Sequence, residues 1–244
     1  MGRVLPILFN TEMVQAILEG RKTVTRRIIK PQPRKEQDHK LGVCIAGDKH
    51  DVGKFVFGTN AQGGSLLYVR PPYRPGDIMY VRETWAFATC INCNGDYIRK
   101  GAPANCYDYQ AVEYDDGDSI SDGCFIYKAD CENTERITWR PSIHMPRAAA
   151  RIWLKVKEVR VEHLQEMTLD DFLSEGIVIP PEAFNDPENA YLQARDNFID
   201  IWDSTIPRGQ QVLYGWEADP WTWVIEFERC GKPESGGWEQ DGKR

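Results

Sequence analysis

The segment from Glu19 to Arg27, EGRKTVTRR, concentrates side chains that can move protons and bind anions. A lysine amine becomes a general base when burial lowers its pKa, and a threonine hydroxyl beside such a base is a potential nucleophile. Lys22 and Thr25 are close enough in sequence for their side chains to act together. The alternative is a solvated basic surface, in which Lys22 and Arg26 face water and Thr25 only favours a strand.

A second set of candidate side chains lies in the stretch VRETW, which contains Glu83 and Trp85. On a strand, these two residues face the same side of the sheet. An aromatic ring beside a carboxylate can stack on a nucleobase and bind its exocyclic amine. This predicts substrate binding by Glu83 and Trp85. In the alternative, Trp85 lies in the core and Glu83 pairs with an arginine.

The proline-bounded stretch RPSIHMPR carries Arg140, His144 and Arg147. Side chains of this kind in a loop can contact phosphate or ribose, so His144 and Arg147 are predicted to bind substrate. The alternative for His144 is a structural role as a hydrogen-bonded loop histidine.

The chain contains seven cysteines, and two of them form a C-x-x-C pair whose spacing suits half of a tetrahedral zinc site. We predict that four cysteines hold a structural zinc ion: Cys90, Cys93, Cys106 and Cys124. Cys44 and Cys131 are rival candidates for the fourth ligand. Free thiols are the alternative, because the second half-site is not another C-x-x-C. No cofactor is expected for catalysis.

The 244 residues carry a formal net charge of -7, whereas a dedicated duplex-DNA binder is usually basic. Residues 21–40 nevertheless hold eight Lys and Arg against two Asp and Glu. A local positive patch on an acidic protein favours contact with one nucleotide or a short single strand. No apolar run could span a membrane and no signal peptide is recognisable, so we predict a cytoplasmic protein without a membrane partner.

Several elements are predicted to position the basic segment. The run VLPILF predicts a strand, and NTEMVQAILEG predicts a helix that Asn10 or Thr11 caps and Gly20 ends. The β-branched density of RKTVTRRIIK predicts the next strand. DIMYVRETWAF is one further β-prone run after a turn. The basic segment is therefore expected to connect a helix to a strand.

The second half of the chain contains both strand and helix patterns. RIWLKVKEVRVEHL predicts a long strand whose alternation changes phase near Lys157, and WTWVIEFERC predicts a final alternating strand. TLDDFLSEG predicts a short helix with Thr168 and Asp171 as a capping pair and Gly176 at its end. DPENAYLQARDNFIDIWDS predicts an amphipathic helix capped by Asp186.

Because strands dominate and helices are few, the order of elements predicts an α+β fold, a partly closed β-barrel with flanking helices and a long Cys-containing insertion. We predict a single domain over residues 1–230, with insertions at about 35–65 and 88–135. Residues 231–244 are expected to form a flexible C-terminal tail.

Gly20, Lys22, Thr25 and Arg27 match the spacing G-x-K-x-x-(E/T)-x-R. This resembles the signature of the ASCH domains, which belong to the PUA-like β-barrel superfamily. The preceding helix, the strand GDIMYVRETW after a PGD turn and the closing strand WVIEF follow the order of the family. WRPSIHMPRAAARIWLKV and FIDIWDS are similar to a subgroup common in bacteriophages and prophages. The resemblance extends from about residue 4 to 229, except for parts of 35–65 and 88–125.

The resemblance implies roles for individual residues. In the bacterial N4-acetylcytidine amidohydrolases of this family, a catalytic Lys and Thr align with Lys22 and Thr25. Their catalytic Glu lies in a short helix after the central strand, and the match falls on Glu175. We therefore expect Lys22, Thr25 and Glu175 to be catalytic and Arg27 to contact substrate or a structural partner, while Arg21 and Arg26 face solvent. A mere helix-end charge is the alternative for Glu175.

The expected function is amide hydrolysis on a modified nucleoside, the deacetylation of N4-acetylcytidine, by a metal-independent Lys–Thr–Glu set. Thr25, or a water held by Thr25, attacks the acetyl carbonyl, Lys22 accepts the proton and Glu175 relays it. The alternative is a phage-associated, non-catalytic PUA-like reader of RNA or of a modified base. The expected partner is a modified nucleoside or a single-stranded nucleic acid, in a bacterial host or a phage-infected cell.

Overall fold

The computed structural model describes residues 2–34, 37, 41–45, 48–58, 65–89, 112–115, 120–131 and 137–233. Within these ranges the chain forms strands, α-helices and short 3-10 turns. The strands are β1 (Val4–Leu8), β2 (Val24–Ile28), β3 (Leu41–Val43), β4 (Phe55–Gly58), β5 (Leu66–Val69), β6 (Ile78–Arg82), β7 (Trp85–Thr89), β8 (Val112–Asp115), β9 (Ile120–Tyr127), β10 (Trp153–His163) and β11 (Trp221–Cys230). The α-helices are α1 (Thr11–Leu18), α2 (Leu169–Ser174), α3 (Pro187–Thr205) and α4 (Gln211–Tyr214). The 3-10 turns span Lys128–Asp130, Ser142–His144, Arg147–Ala149, Leu164–Glu166, Pro181–Asn185 and Trp216–Ala218.

Five strands form a mixed sheet in the order β1–β6–β10–β11–β2, with β1 parallel to β6 and β11 antiparallel to β2. Pro6, which lacks an N–H donor, lies in β1 at the edge of this sheet. Two antiparallel sheets have the orders β3–β4–β5 and β7–β9–β8. The predicted α+β class is therefore confirmed, and the strands of the described ranges do not form a closed barrel.

The chain divides into two compact units. The first comprises Met1–Arg3, Gly20–Asp77 and Lys155–Glu228, and the second comprises Val4–Glu19, Ile78–Leu154 and Arg229–Arg244. The single domain expected over residues 1–230 stays a prediction. Much of the insertions expected at 35–65 and 88–135, and all of the tail beyond residue 233, lies outside the described residues.

The elements around the basic segment follow local sequence signals. The Asn10 side chain accepts a hydrogen bond of 2.8 Å from the backbone N–H of Met13 and so caps α1. Gly20 has a φ of 78°, a left-handed conformation that glycine adopts without strain. The chain then enters β2. The predicted helix, its glycine end and the following strand are confirmed.

The run DIMYVRETWAF differs from its prediction, because it forms two strands in different sheets. β6 ends at Arg82, and the backbone N–H of Glu83 donates to Sδ of Met145 at 3.1 Å. Trp85 then begins β7. The sequence predicts that Glu83 and Trp85 share one face of a single strand, and this is wrong. Glu83 follows the end of β6, whereas Trp85 begins β7 in another sheet.

The two long strands show how position in a sheet changes burial. In β10 the consecutive residues Lys157 and Glu158 are both exposed, as the predicted phase change requires. In β11 the predicted alternation is largely lost, because Thr222 and Val224 are as buried as Trp223 and Ile225. Residues 222–225 of β11 are buried on both faces of the strand, whereas alternation predicts that only one face is covered.

A hydrophobic core in the first unit supports α2. Phe172 is fully buried, and its ring lies 5.4 Å from Phe198 and 5.7 Å from Tyr191, both in α3. The Asp186 side chain caps α3 as predicted. None of the helices in the described ranges combines the length and apolar character that crossing a lipid bilayer requires.

Candidate active site

The short helix α2 is fixed at both ends by its own sequence. At its start, Thr168 and Asp171 bind each other's backbone N–H groups and form the predicted capping box. At its end, the N–H of Gly176 donates to the Leu173 carbonyl at 2.9 Å, and the N–H of Ile177 to the Phe172 carbonyl at 3.1 Å. This is a Schellman motif, for which Gly176 supplies the positive φ of 93°.

The last turn of α2 receives the segment that follows Gly20. The Arg21 side chain donates to the Gly176 carbonyl at 2.7 Å, and the backbone N–H of Thr23 donates to the Ser174 carbonyl at 2.9 Å. Carbonyl groups at a helix C-terminus carry partial negative charge and favour cations. The Arg21 guanidinium is therefore placed against the negative end of α2.

Lys22 and Glu175 form a buried pair at this junction. Nζ of Lys22 donates to the backbone carbonyl of Glu175 at 2.9 Å and to Oε2 of the same residue. The exposed fractions of the two side chains are 0% and 6%. A solvated lysine, the alternative interpretation of the sequence, does not describe this residue.

Burial is the largest influence on the Lys22 amine and lowers its pKa. The charge of Glu175 and its hydrogen bond raise this pKa in part, while the neighbouring cations Arg27 and Arg26 lower it further. The net direction is downward, because desolvation disfavours the ammonium form. This is the direction that prepares a lysine to act as a base.

Arg26 lies inside a charge cluster, and its expected solvent exposure is wrong. Its side chain is 0% exposed, and Nη2 donates at 3.0 Å to both Glu162 and Asp171. Nη1 lies 3.6 Å from Oε1 of Glu175. The prediction fails because the charge pattern of β2 shows the basic residue but not the carboxylates of β10 and α2 that cover it.

Thr25 and Arg27 occupy the other face of β2, since alternate residues of a strand point to opposite sides. The Thr25 hydroxyl is buried and accepts a hydrogen bond of 2.8 Å from Nη1 of Arg27. Burial lowers the pKa of Arg27, and the charges of Glu175 and Tyr73 raise it in part. Arg27 is thus electrostatically coupled to Glu175 while it contacts Thr25.

Glu83 and Trp85 belong to the second unit and have well-defined partners there. The Arg151 guanidinium donates to both carboxylate oxygens of Glu83, at 2.9 and 3.0 Å, and also binds Asp130. Burial raises the pKa of Glu83, although Arg151 lowers it in part. Trp85 is fully buried, and the Arg140 guanidinium lies 5.2 Å from its ring. These contacts match the structural alternatives, and substrate binding by Glu83 and Trp85 stays a prediction.

His144 and Arg147 are exposed residues of the second unit, each in a 3-10 turn. The Arg147 guanidinium lies 5.8 Å from the ring of Tyr80 and 5.7 Å from that of Trp153. An exposed cation beside a partly exposed Tyr80 is compatible with binding of an anionic or aromatic group. Contact of His144 and Arg147 with substrate stays a prediction.

The predicted zinc ligands Cys90, Cys93 and Cys106 lie outside the described residues. Cys124 lies in β9 and is buried beside Ala86 and Ile126. Within the described ranges, no group of three His, Cys, Asp or Glu side chains is arranged to hold a metal ion. The zinc site therefore stays a prediction.

Sequence reasoning missed two groups of functional interest. One is the cluster of Arg26 with Glu162 and Asp171, and the other is Arg151 with its two carboxylates. For the Arg26 cluster the alternation of β2 provides a signal, because it places Arg26 on the face of the strand opposite to Thr25 and Arg27. No local signal pairs Arg151 with Glu83, since 68 residues separate them.

Asp171→Asn is expected to lower the free energy of unfolding by about 1–2 kcal/mol near neutral pH, because Arg26 loses a charged partner. Burial alone would raise the pKa of Asp171, but hydrogen bonds from Thr168 and Arg26 outweigh it and the pKa is lowered. The stabilisation is present above the pKa of the unfolded state and disappears as the pH falls through the lower folded-state value.

Urea unfolding of wild type and Asp171→Asn between about pH 7 and about pH 2 measures this difference. The neighbouring exposed residue Asp170 provides the matched control, and Asp170→Asn is expected to change stability by less than about 0.5 kcal/mol. A difference between wild type and Asp171→Asn that stays constant over this pH range contradicts the prediction.

Comparison of the chain with protein-family models, with curated proteins and with solved structures finds no match. The evidence on function therefore comes from the geometry of Lys22, Glu175 and their neighbours, and from the resemblance of these residues to the ASCH motif.

Proposed function

We propose that this protein hydrolyses the N4-acetyl amide of N4-acetylcytidine, as an enzyme of the ASCH type. One observation supports this above the others. The amine of Lys22 and the carboxylate of Glu175, 153 residues apart in sequence, meet in a buried hydrogen-bonded pair. An amine with a lowered pKa in contact with a carboxylate is suited to accept and pass on a proton.

The reaction adds water across the bond between N4 and the acetyl carbon, and its products are cytidine and acetate. The attacking oxygen belongs to Thr25 or to a water bound by its hydroxyl. In the first route an acetyl-threonine ester forms, cytidine leaves, and water then hydrolyses the ester. The Arg27 guanidinium, 2.8 Å from the Thr25 hydroxyl, stabilises negative charge that develops on this oxygen.

Proton transfer follows the contacts of the buried pair. Lys22 in its neutral form takes the proton from the attacking oxygen. Oε2 of Glu175 is hydrogen-bonded to Nζ of Lys22, so it passes the proton towards N4 of the leaving cytidine. The N4 atom leaves as an amine and not as an unstable anion, because it is protonated as the C–N bond breaks.

We propose further that the five-stranded sheet is the core of a PUA-like, partly closed barrel. The order of strand β1, helix α1 and strand β2 supports this assignment, as does the place of β11 beside β2. The resemblance to ASCH domains rests on the same order of elements. In this proposal Gly20 forms the link between the helix and the barrel strand.

Incubation of the purified protein with N4-acetylcytidine is expected to release cytidine and acetate in equal amounts, measured by chromatography. Thr25→Val is expected to lower kcat/KM by about 10²- to 10³-fold, because the hydroxyl is lost while the shape is kept. Thr25→Ser is expected to retain most of the activity. Thr205→Val, a matched change in α3, is expected to leave it unchanged. The absence of cytidine from the wild-type reaction contradicts the proposal.

The second candidate function is a non-catalytic reader of RNA or of a modified base. The exposed His144 and Arg147, with Arg147 near two aromatic rings, favour it. Binding of single-stranded RNA that weakens steeply between about 50 and 200 mM salt, without turnover of N4-acetylcytidine, would identify this function.

A further inference from the structure

The guanidinium of Arg26 lies among three carboxylates in the first unit. Glu162 and Asp171 share its Nη2 atom, each at 3.0 Å, and Oε1 of Glu175 lies 3.6 Å from Nη1. The Arg26 side chain is 0% exposed. A buried cation with this many anionic neighbours is held in one orientation, because movement would separate it from at least one of them.

The contact between Arg26 and Glu175 differs from the other two. At 3.6 Å it is longer than a hydrogen bond. Within the part of the chain that the structure describes, Nη1 of Arg26 and Oε1 of Glu175 are both buried without a hydrogen-bond partner. The two groups therefore interact mainly through their charges. This attraction does not need a hydrogen bond, and it is stronger in the buried, low-dielectric surroundings than it would be in water.

Glu175 thus has a different partner for each carboxylate oxygen. Oε2 accepts from Lys22, and Oε1 faces Arg26. Lys22 in turn interacts electrostatically with Glu175, the C-cap of α2, and with Arg26 and Arg27 in β2. The positive charge on Arg26 disfavours a second positive charge on Lys22 and so contributes to the lowered pKa of the Lys22 amine.

We propose that Arg26 is a positioning residue for the pair of Lys22 and Glu175. It directs the Glu175 carboxylate so that Oε2 meets Lys22, and its charge favours the neutral form of the Lys22 amine. This inference deepens the proposed function, on which its catalytic meaning rests, but it concerns a residue outside the motif G-x-K-x-x-(E/T)-x-R.

Arg26 can be replaced by a neutral residue while another cation remains beside its carboxylate partners. Arg160 also donates to Glu162 and lies 3.6 Å from Asp171. Glu162 and Asp171 therefore keep Arg160 as a cationic partner when a neutral residue replaces Arg26. Tyr73, which acts electrostatically on Arg27, is unchanged by such a substitution.

The experiment is an NMR titration of the Lys22 side chain, whose signal is assigned by its loss in Lys22→Met. In Arg26→Gln the titration midpoint of Lys22 is expected to rise by about one pH unit or more, because a nearby positive charge is removed. Arg26→Lys keeps the charge and is expected to bring the midpoint back towards wild type. Arg195→Gln removes a half-buried arginine of α3 and serves as the matched control, with no change expected.

Glu162→Gln gives a second test, in which the expected shift of the Lys22 midpoint has the opposite direction. This test can be made even if Arg26→Gln does not fold. It removes a negative charge beside Arg26 and leaves Arg26 in place. The Lys22 midpoint is expected to fall. An unchanged midpoint in folded Arg26→Gln, or a rise in Glu162→Gln, overturns the inference.

Measuring turnover of N4-acetylcytidine distinguishes a failure of this inference from a failure of the proposed function. If wild type releases no cytidine, the proposed function fails, while the titration still decides the role of Arg26. If wild type is active, the acidic limb of the pH profile of kcat/KM is expected to move to higher pH in Arg26→Gln. A merely structural role would lower the amount of folded protein without moving that limb.

Discussion

Lys22→Met is expected to lower kcat/KM for N4-acetylcytidine by about 10³- to 10⁴-fold while the protein stays folded. Methionine has a similar length and is apolar, so it fits a side-chain site that is 0% exposed. Methionine cannot accept a proton, and the proposed reaction then lacks its base. The change is measured by steady-state kinetics, with circular dichroism to confirm folding.

Lys22→Arg distinguishes a catalytic from a structural role of this residue. Arginine can still donate to the Glu175 carbonyl and carboxylate at the end of α2, so a purely structural site would tolerate it. Arginine does not deprotonate in proteins and cannot be the base. We expect Lys22→Arg to fold and to be nearly as inactive as Lys22→Met. An active Lys22→Arg contradicts the catalytic assignment.

The control for this substitution is Lys157→Met. Lys157 lies in β10, its side chain is 51% exposed, and it pairs with Glu226 at 3.1 Å. Surface ion pairs of this kind contribute little, so activity and stability are expected to remain close to wild type. Loss of activity in both lysine variants would mean that the effect of Lys22→Met is not specific to the buried pair.

The pH dependence of the wild type follows from the same pair. Only the neutral amine of Lys22 can accept a proton, so in the proposed reaction kcat/KM is expected to rise as the pH rises through the pKa of Lys22. Burial lowers that pKa, and the acidic limb therefore lies below the ordinary range of a lysine. An acidic limb at the ordinary value for lysine would show that the amine is not the base in the state that binds substrate.

The parts of the fold that the sequence predicts correctly are those specified by neighbouring residues. The capping box of Thr168 and Asp171 and the positive φ of Gly176 lie within one short segment, so their geometry is set locally. The same holds for Asn10 at the start of α1. Helix ends are therefore readable from a single sequence when the capping residues are present.

The predictions that fail depend on residues far away in sequence. Arg26 looks like a solvated cation within its own segment, yet Glu162 and Asp171, which bury it, lie 136 and 145 residues away. The run containing Glu83 looks like one strand, yet Met145 binds the Glu83 N–H where the run changes sheet. A periodic pattern shows which residues share a face but not what covers that face.

The candidate site combines features that the local sequence specifies with one contact between residues far apart in sequence. A short motif predicts Lys22 and Thr25 as site residues, and their place after a helix follows from local signals. The contact between Lys22 and Glu175 is long-range, and only the resemblance to a known order of elements suggested it. The alternation of β2 also predicts that Thr25 and Arg27 share a face, and the hydrogen bond between them agrees with this.

Phe172→Ala is expected to lower the free energy of unfolding by about 3–5 kcal/mol, the largest stability effect predicted for this chain. Phe172 is fully buried, and its ring packs against Tyr191, Phe198 and Trp216 at centroid distances of 5.7, 5.4 and 6.3 Å. Alanine leaves a cavity among rigid rings that cannot close around it. Urea unfolding measures the loss, and Phe184→Ala, at a residue that is 51% exposed, is the matched control.

The same substitution links the core to the proposed chemistry. Phe172 precedes Glu175 by three residues, and its carbonyl accepts the Ile177 N–H that closes the end of α2. If this ring holds α2 in place, a variant that is still folded should lose activity as well, because Glu175 no longer meets Lys22 in one fixed geometry. The loss should fall on kcat more than on KM, since the groups that act in the transition state are displaced. Full activity in folded Phe172→Ala would show instead that the Lys22–Glu175 contact alone is enough to position the carboxylate.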